Sequence, residues 1–167
     1  LNPIISVETK DGDNLIFDPC LIPGSLCTPK KVLRTETAFF LNDILSDNQA
    51  RAAAFGIRSI LNLSPYQVAV KTGTSNDLRD NWTFGYTPDF VTATWVGNND
   101  NSPMNRIASG ITGASPIWSK TMHLLLSENP NNNTFTVPEN LIRLPICVYT
   151  GTLACAGCPT RYEYFTL

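Results

Sequence analysis

The sequence is poor in several things that would point to particular functions. It has one histidine, His123, among 167 residues, and no run of basic residues longer than Lys30-Lys31. Twelve scattered Lys and Arg residues against fourteen Asp and Glu give a formal charge of -2, which excludes a phosphate-binding surface of the kind nucleic acids require. No stretch approaches eighteen apolar residues, so nothing in it reads as a membrane-spanning helix, and no amino-terminal signal sequence is present. There are no internal repeats. The chain opens on Leu1 and stops at "RYEYFTL" without a polar tail, and both ends read as cut from something longer. At 43% hydrophobic and 16% charged, the composition is that of a single folded domain or a large piece of one.

Five cysteines stand out: Cys20, Cys27, Cys147, Cys155 and Cys158. Cys155 and Cys158 form a C-x-x-C, compatible with redox chemistry, zinc or a disulfide set. A redox pair needs a helix start inside a βαβ pattern, which "TLACAGCPTR" lacks. Zinc needs a fourth ligand, and the sole histidine lies in an unrelated helical stretch. The preferred reading is structural, with Cys147–Cys158 as one pair, Cys20–Cys27 as a second candidate, and one cysteine left over. The spacing does not fix the connectivity.

Apolar and polar residues alternate in "ISVETKDGDNLIF" around Asp11-Gly12-Asp13-Asn14, which predicts a β-hairpin. A connector with Pro and Cys follows, over 18–31. Thr35 or Thr37 then opens an amphipathic helix on Ala38, Phe39, Leu41, Ile44 and Leu45, fading towards Phe55-Gly56, with a second short helical piece over 57–61. Strands are predicted over 67–72, 80–86 and 90–96, the last two paired through a turn at Thr87-Pro88-Asp89. Ser115-Pro116 reads as N-cap and first helical residue of a closing helix whose stripe is Trp118, Met122, Leu125 and Leu126. "SENPNNN" is a linker, and from Thr134 a small strand-rich appendage carries the last three cysteines. The order predicts an α+β fold, helices packed on an antiparallel sheet, with 1–128 as the main portion and 129–167 as linker and appendage.

The chemistry-bearing motif is Lys71-Thr72-Gly73-Thr74 at the end of the strand beginning near Gln67. A phosphate-loop reading needs spaced glycines before the Lys-Thr, and "SPYQVAV" has none. Lys-Thr-Gly is one third of the set Ser-x-x-Lys, Ser-x-Asn and Lys-Thr-Gly found in serine acyltransferases that act on D-Ala peptides or β-lactams. The stretch "FFLNDILSDNQARAAAFGIRSILNLSPYQVAVKTGTSNDLRDNWTFGYTPDFVTATWVGNNDNSPM" resembles the end of the transpeptidase domain of class A penicillin-binding proteins. The tail "ICVYTGTLACAGCPTRYEYFTL" resembles the segment that follows it in some members.

The resemblance implies a partial penicillin-binding, β-lactamase-like fold and a serine D,D-transpeptidase as the parent protein, membrane-anchored and working outside the cytoplasmic membrane. Its partners would be the peptidoglycan stem peptide ending in D-Ala-D-Ala, β-lactams, and the upstream part of the same domain. No metal or organic cofactor is implied. Lys71 would supply a positive field at the substrate carboxylate, Gly73 the close approach, and Thr72 and Thr74 the carboxylate-binding hydroxyls. The backbone N–H of Thr74 would be one oxyanion-hole donor. Ser75 reads as a loop hydroxyl, and Asp77, Arg79 and Asp80 as ties between strands. Trp82, Phe84, Tyr86 and Trp95 read as core or sheet face, and His123 as a core or surface histidine.

Two departures qualify this. Ser46-Asp47-Asn48 spells Ser-x-Asn but sits close before Lys71, where helix capping explains it better than catalysis. No Ser-x-x-Lys occurs in the 167 residues; "TPKK" from Thr28 is the nearest imitation. The segment alone is therefore expected to be inactive. A D,D-carboxypeptidase uses the same chemistry with water as acceptor. The alternatives of another class are a non-catalytic cell-wall peptide-binding or structural module, and a disulfide-stabilised extracellular interaction domain.

Overall fold

The computed structural model describes residues 6–17, 31–104, 111–129 and 134–167. The chain divides into two compact units, 1–34 and 35–167. In the first, β1 (Ser6–Glu8) pairs antiparallel with β2 (Asn14–Phe17), as the alternation predicts. The turn is closed by the N–H of Thr9 donating to the Asp13 carbonyl (2.8 Å), and Gly12 takes φ +90°, a value that favours glycine. The candidate pair Cys20–Cys27 and most of the connector lie outside the described residues.

The second unit begins with two helices where the apolar pattern predicts one. α1 (Thr35–Ser46) ends and α2 (Asn48–Phe55) begins across Asp47, whose backbone is extended. Its carboxylate Oδ1 accepts from the N–H groups of Gln49 (2.8 Å) and Ala50 (2.9 Å), the second and third helical positions. The Ser-Asp-Asn triplet is thus a helix junction, in keeping with the capping role expected for it. Gly56, at φ +80°, stops α2 by donating its N–H to the Ala52 carbonyl. Residues 57–61 form turns, not the second helical piece expected. With Gly56 just before and Leu61 and Leu63 needed in the core, the chain has too little length left for a helical repeat.

The sheet has the order β3-β4-β5, all antiparallel: β3 (Ala69–Thr74), β4 (Asp80–Tyr86) and β5 (Val91–Gly97). β3 starts and ends two residues later than the 67–72 expected. α3 (Ala114–Glu128) packs on one sheet face through Trp118, Met122 and Leu126, spaced four apart and fully buried. With Leu61, Leu63, Val68 and Val70 they make the core, and Leu125, expected in the stripe, is only half-buried.

Ser115 is not the cap of α3. Gly113 holds that position without a side-chain bond, and the N–H of Ala114 instead donates to Oδ1 of Asn81 from β4 (2.8 Å). Ser115 is buried one residue into the helix, its hydroxyl bonded to that of Thr83 (2.9 Å). The sheet, not the local sequence, satisfies this helix start. α3 also runs through Ser127 and Glu128, which the sequence assigned to the linker.

The residues expected to form a strand-rich appendage make a two-stranded antiparallel ladder, β6 (Leu141–Cys147) with β7 (Thr160–Thr166), within the second unit. Cys147 and Cys158 form a disulfide with Cα atoms 5.6 Å apart, and Cys155 is an exposed thiol. Tyr164 meets Phe39 of α1 edge-on, ring centroids 4.9 Å apart.

Candidate functional site: the edge of the Lys-Thr-Gly strand

All four motif residues lie in β3, which has a partner strand only on its β4 side among the described residues. Register fixes which backbone groups face outward. Thr74 pairs with Asn81, so Ser75 stands opposite Asp80, and the N–H of Ser75 donates to the Asp80 carbonyl (3.0 Å). In an antiparallel ladder such hydrogen-bonded pairs alternate with pairs whose backbone groups point away. Gly73 and Lys71 therefore turn their N–H and C=O towards β4, and Thr72 and Thr74 turn theirs to the outer edge. A second contact agrees: the Lys71 ammonium reaches round to donate to the Thr72 carbonyl (2.5 Å).

Side chains divide the other way. Lys71 and Gly73 share a face with their cross-strand partners Phe84 and Trp82, while Thr72 and Thr74 share the face that carries Val70 and α3. The motif thus presents a cation on one side, hydroxyls on the other, and outward backbone between. A Cβ built on Gly73 would meet nothing nearer than the Cβ of Trp82 at 3.7 Å, so the fold itself does not require glycine there.

Trp82, Phe84 and Trp95 form a partly exposed aromatic cluster on this face, as sheet-face residues and not as core. Trp82 stacks on Phe84 at 5.5 Å and lies 6.4 Å from Trp95. The buried alternation of β4 falls on Asn81, Thr83 and Gly85 instead. The indole of Trp118 occupies the space over Gly85, where any Cβ would come within 2.1 Å of the ring. Large side chains are excluded from that face, and the aromatics take the other.

The turn that follows the motif is tied down from several directions. Asp80 accepts from the Ser75 hydroxyl (2.9 Å) and from Trp95 Nε1 (2.9 Å), and its N–H donates to Ser75 Oγ (2.8 Å). Those two side-chain bonds, that from Trp95 the larger, hold the Asp80 carboxyl below its ordinary pKa. Asp77 and Leu78 take φ +58° and +56°, an uncommon conformation for a bulky residue such as leucine. The N–H of Met104 donates to the Leu78 carbonyl (3.0 Å), and the Arg79 guanidinium donates to the Asn101 carbonyl. The tying role expected of Asp77, Arg79 and Asp80 is performed by Asp80 and Arg79, while Asp77 makes only a long ion pair with Arg79 within the turn. His123 is exposed on α3, its ring edge-on to Tyr66 and distant in sequence from the motif strand.

One contributor was not legible in the sequence. Beside β3 lies a cavity of about 140 Å³ whose walls include Ile44, Leu45, Phe55, Arg51, Lys71 and Thr72. Arg51 is the sole charged residue of α2, and that lone cation in "NQARAAAF" was the available signal. Burial pulls its pKa below the ordinary value, against the opposing field of Asp47. Among the described residues no cluster of His, Cys, Asp or Glu could hold a metal ion, and no helix is long and apolar enough to cross a membrane.

No family profile matches the chain. It is 34% identical over 133 residues to penicillin-binding protein 1A of Pseudomonas aeruginosa, covering 80% of this chain and 16% of that protein. It is 37% identical over 75 residues to penicillin-binding protein 1A of Aquifex aeolicus, covering 45% of this chain and 10% of that protein. The crystal structure of penicillin-binding protein 1A from Haemophilus influenzae superposes with a TM-score of 0.53 at 33% identity, over 59% of this chain and 14% of that one. The chain thus spans between about a tenth and a sixth of the length of these relatives. With an antiparallel sheet backed by a helix and a Lys-Thr-Gly strand on its edge, the chain belongs to the class A penicillin-binding proteins.

Proposed function

We propose that this chain provides the substrate-binding edge of a serine D,D-transpeptidase that cross-links peptidoglycan. The observation that carries the reading is the register of β3, which turns the backbone of Thr72 and Thr74 outward on an edge strand. A stem peptide ending in D-Ala-D-Ala would lie along that edge and bond to it as an added strand. The cavity beside the strand is smaller than the roughly 300–1,000 Å³ of ligand clefts, so the edge and not an enclosed pocket receives the chain.

In this reading the N–H of Thr74 donates to the developing oxyanion, an interaction that can lower a barrier by ~2.7–4 kcal/mol. The hydroxyls of Thr72 and Thr74 and the charge of Lys71 hold the substrate carboxylate. Lys71 also steadies the active-site serines. Gly73 leaves room for close approach. The 167 residues hold no Ser-x-x-Lys, so the acyl-forming serine and its lysine would come from a segment outside them. The parent would be membrane-anchored and extracytoplasmic, with β-lactams as mimics of the acyl donor. Residues 129–167 form an appendage to the transpeptidase portion.

A fluorescent penicillin tests the reading. The 167-residue chain should remain unlabelled, and a covalent adduct would refute the assignment of the nucleophile to another segment. In a longer protein carrying Ser-x-x-Lys and an upstream Ser-x-Asn, Gly73→Val should abolish labelling, and normal labelling would remove β3 from the site. The alternative reading is a non-catalytic module that binds cell-wall peptide on the same edge. A coding sequence without those two motifs upstream, together with peptide binding and no acylation, would select it.

A further inference from the structure

The cavity between α1, α2 and β3 combines two cations with no anion. Arg51 donates from Nε to the Asp47 carbonyl (3.3 Å) and from one terminal nitrogen to the Leu45 carbonyl, while its other terminal nitrogen, Nη1, is buried without a partner. No carboxylate among the described residues lies within ion-pair distance of it. Asp47, whose field acts on it, has its Oδ1 bonded to the first turn of α2. Lys71 lines the same space and holds only the Thr72 carbonyl. The remaining walls include Ile44, Leu45 and Phe55, whose side chains offer the guanidinium no acceptor.

A buried donor on a charged group left unpaired is costly, and an anion at that point removes the cost. The space of about 140 Å³ corresponds to four or five waters at roughly 30 Å³ each, enough for a carboxylate with part of its hydration. The Nη1 N–H would give it one charge-assisted hydrogen bond, and Lys71 a second positive neighbour.

We propose that this cavity is a carboxylate-binding site, with Arg51 Nη1 as its donor and Lys71 as its second cation. The identity of the carboxylate rests on the transpeptidase reading: a peptide on the β3 edge that ends level with Lys71–Thr72 brings its terminal carboxylate to the mouth of the cavity. The site itself does not rest on that reading, since a free small carboxylate meets the same two cations.

The test is a nuclear magnetic resonance titration of the 167-residue chain with three probes: N-acetyl-D-Ala-D-Ala, the same dipeptide as its carboxy-terminal amide, and sodium acetate. The acid dipeptide and acetate should shift the Arg51 Nε–H signal and the amides of Ala50, Ala52, Lys71 and Thr72, and the amide dipeptide should not. Arg51→Gln should weaken both acids about tenfold or more, and Arg51→Lys should weaken them less. Unchanged affinity for both acids in a folded Arg51→Gln variant overturns the proposal, as does equal binding of acid and amide. If acetate binds through Arg51 and the acid dipeptide does not, the anion site stands and the D-Ala-D-Ala reading falls. Should Arg51→Gln fail to fold, the exposed Lys71→Met supplies the variant arm, with a several-fold loss expected and no loss overturning the proposal.

Discussion

Gly73 and Gly85 lie in neighbouring strands of one sheet, yet the fold treats them oppositely. Gly85 faces α3, and the Trp118 ring fills the place of a side chain. Gly73 lies on the other face, with ordinary contact distance to spare. The first glycine is demanded from inside by close packing, and the second is not demanded by the fold at all. Nothing in the fold fixes position 73 as glycine, which leaves it open to the role proposed for it, room for a substrate at the strand. The contrast separates residues that build the sheet from residues that the sheet displays.

Experiments can break that contrast, beginning at the closed face. Trp118→Ala empties the space over Gly85 and should cost about 3–5 kcal/mol in urea or thermal unfolding. A loss under about 1 kcal/mol would mean that α3 is not held there. Gly85→Ala should destabilise by roughly 1–3 kcal/mol through overpacking. In the Trp118→Ala background most of that penalty should vanish, and a purely additive double mutant would deny the contact between the two positions.

A smaller effect concerns the turn after the motif. The bonds from Trp95 and Ser75 hold the Asp80 pKa below its ordinary 3.8, so their stabilisation is fully present above that value and lost as pH falls through the lower folded-state value. Unfolding curves between pH 6 and 2 should show wild type losing more stability on the acid side than Asp80→Asn. Parallel profiles would remove the carboxylate from the turn's support. The smallest expected change is at the open face: Gly73→Ala should leave stability within about 0.5 kcal/mol. A large destabilisation there would show that the fold requires this glycine after all and dissolve the comparison.

How far the sequence foretold this depends on which link is asked about. Period-two alternation located β4 and β5 within a residue, because pleating is a local property. It could not say which face is covered. Trp82 and Phe84 are the apolar members of their strand, but the covered face carries Asn81, Thr83 and Gly85. That choice belongs to Trp118 and to the start of α3, more than thirty residues away. Ser115 misled for the same reason: a good local cap was overruled by Asn81, a better partner from the sheet. The edge motif was legible because its four residues are contiguous. The Arg51 cavity was not, because it exists only once α2 is set beside β3.

The junction at Asp47 has a consequence for how chains of this kind are searched. Letter by letter, Ser46-Asp47-Asn48 satisfies a catalytic signature. Group by group the match is poor: the serine hydroxyl donates to the Asp43 carbonyl, the aspartate Oδ1 is occupied by two amides, and the asparagine amide nitrogen donates to Asn62. That leaves the buried Oδ1 of Asn48 as the one polar side-chain atom of that residue without a partner. A pattern scan would count a hit here, and a census of donors and acceptors would strike it out. For short polar signatures, asking which atoms are already spoken for is a stricter filter than lengthening the pattern.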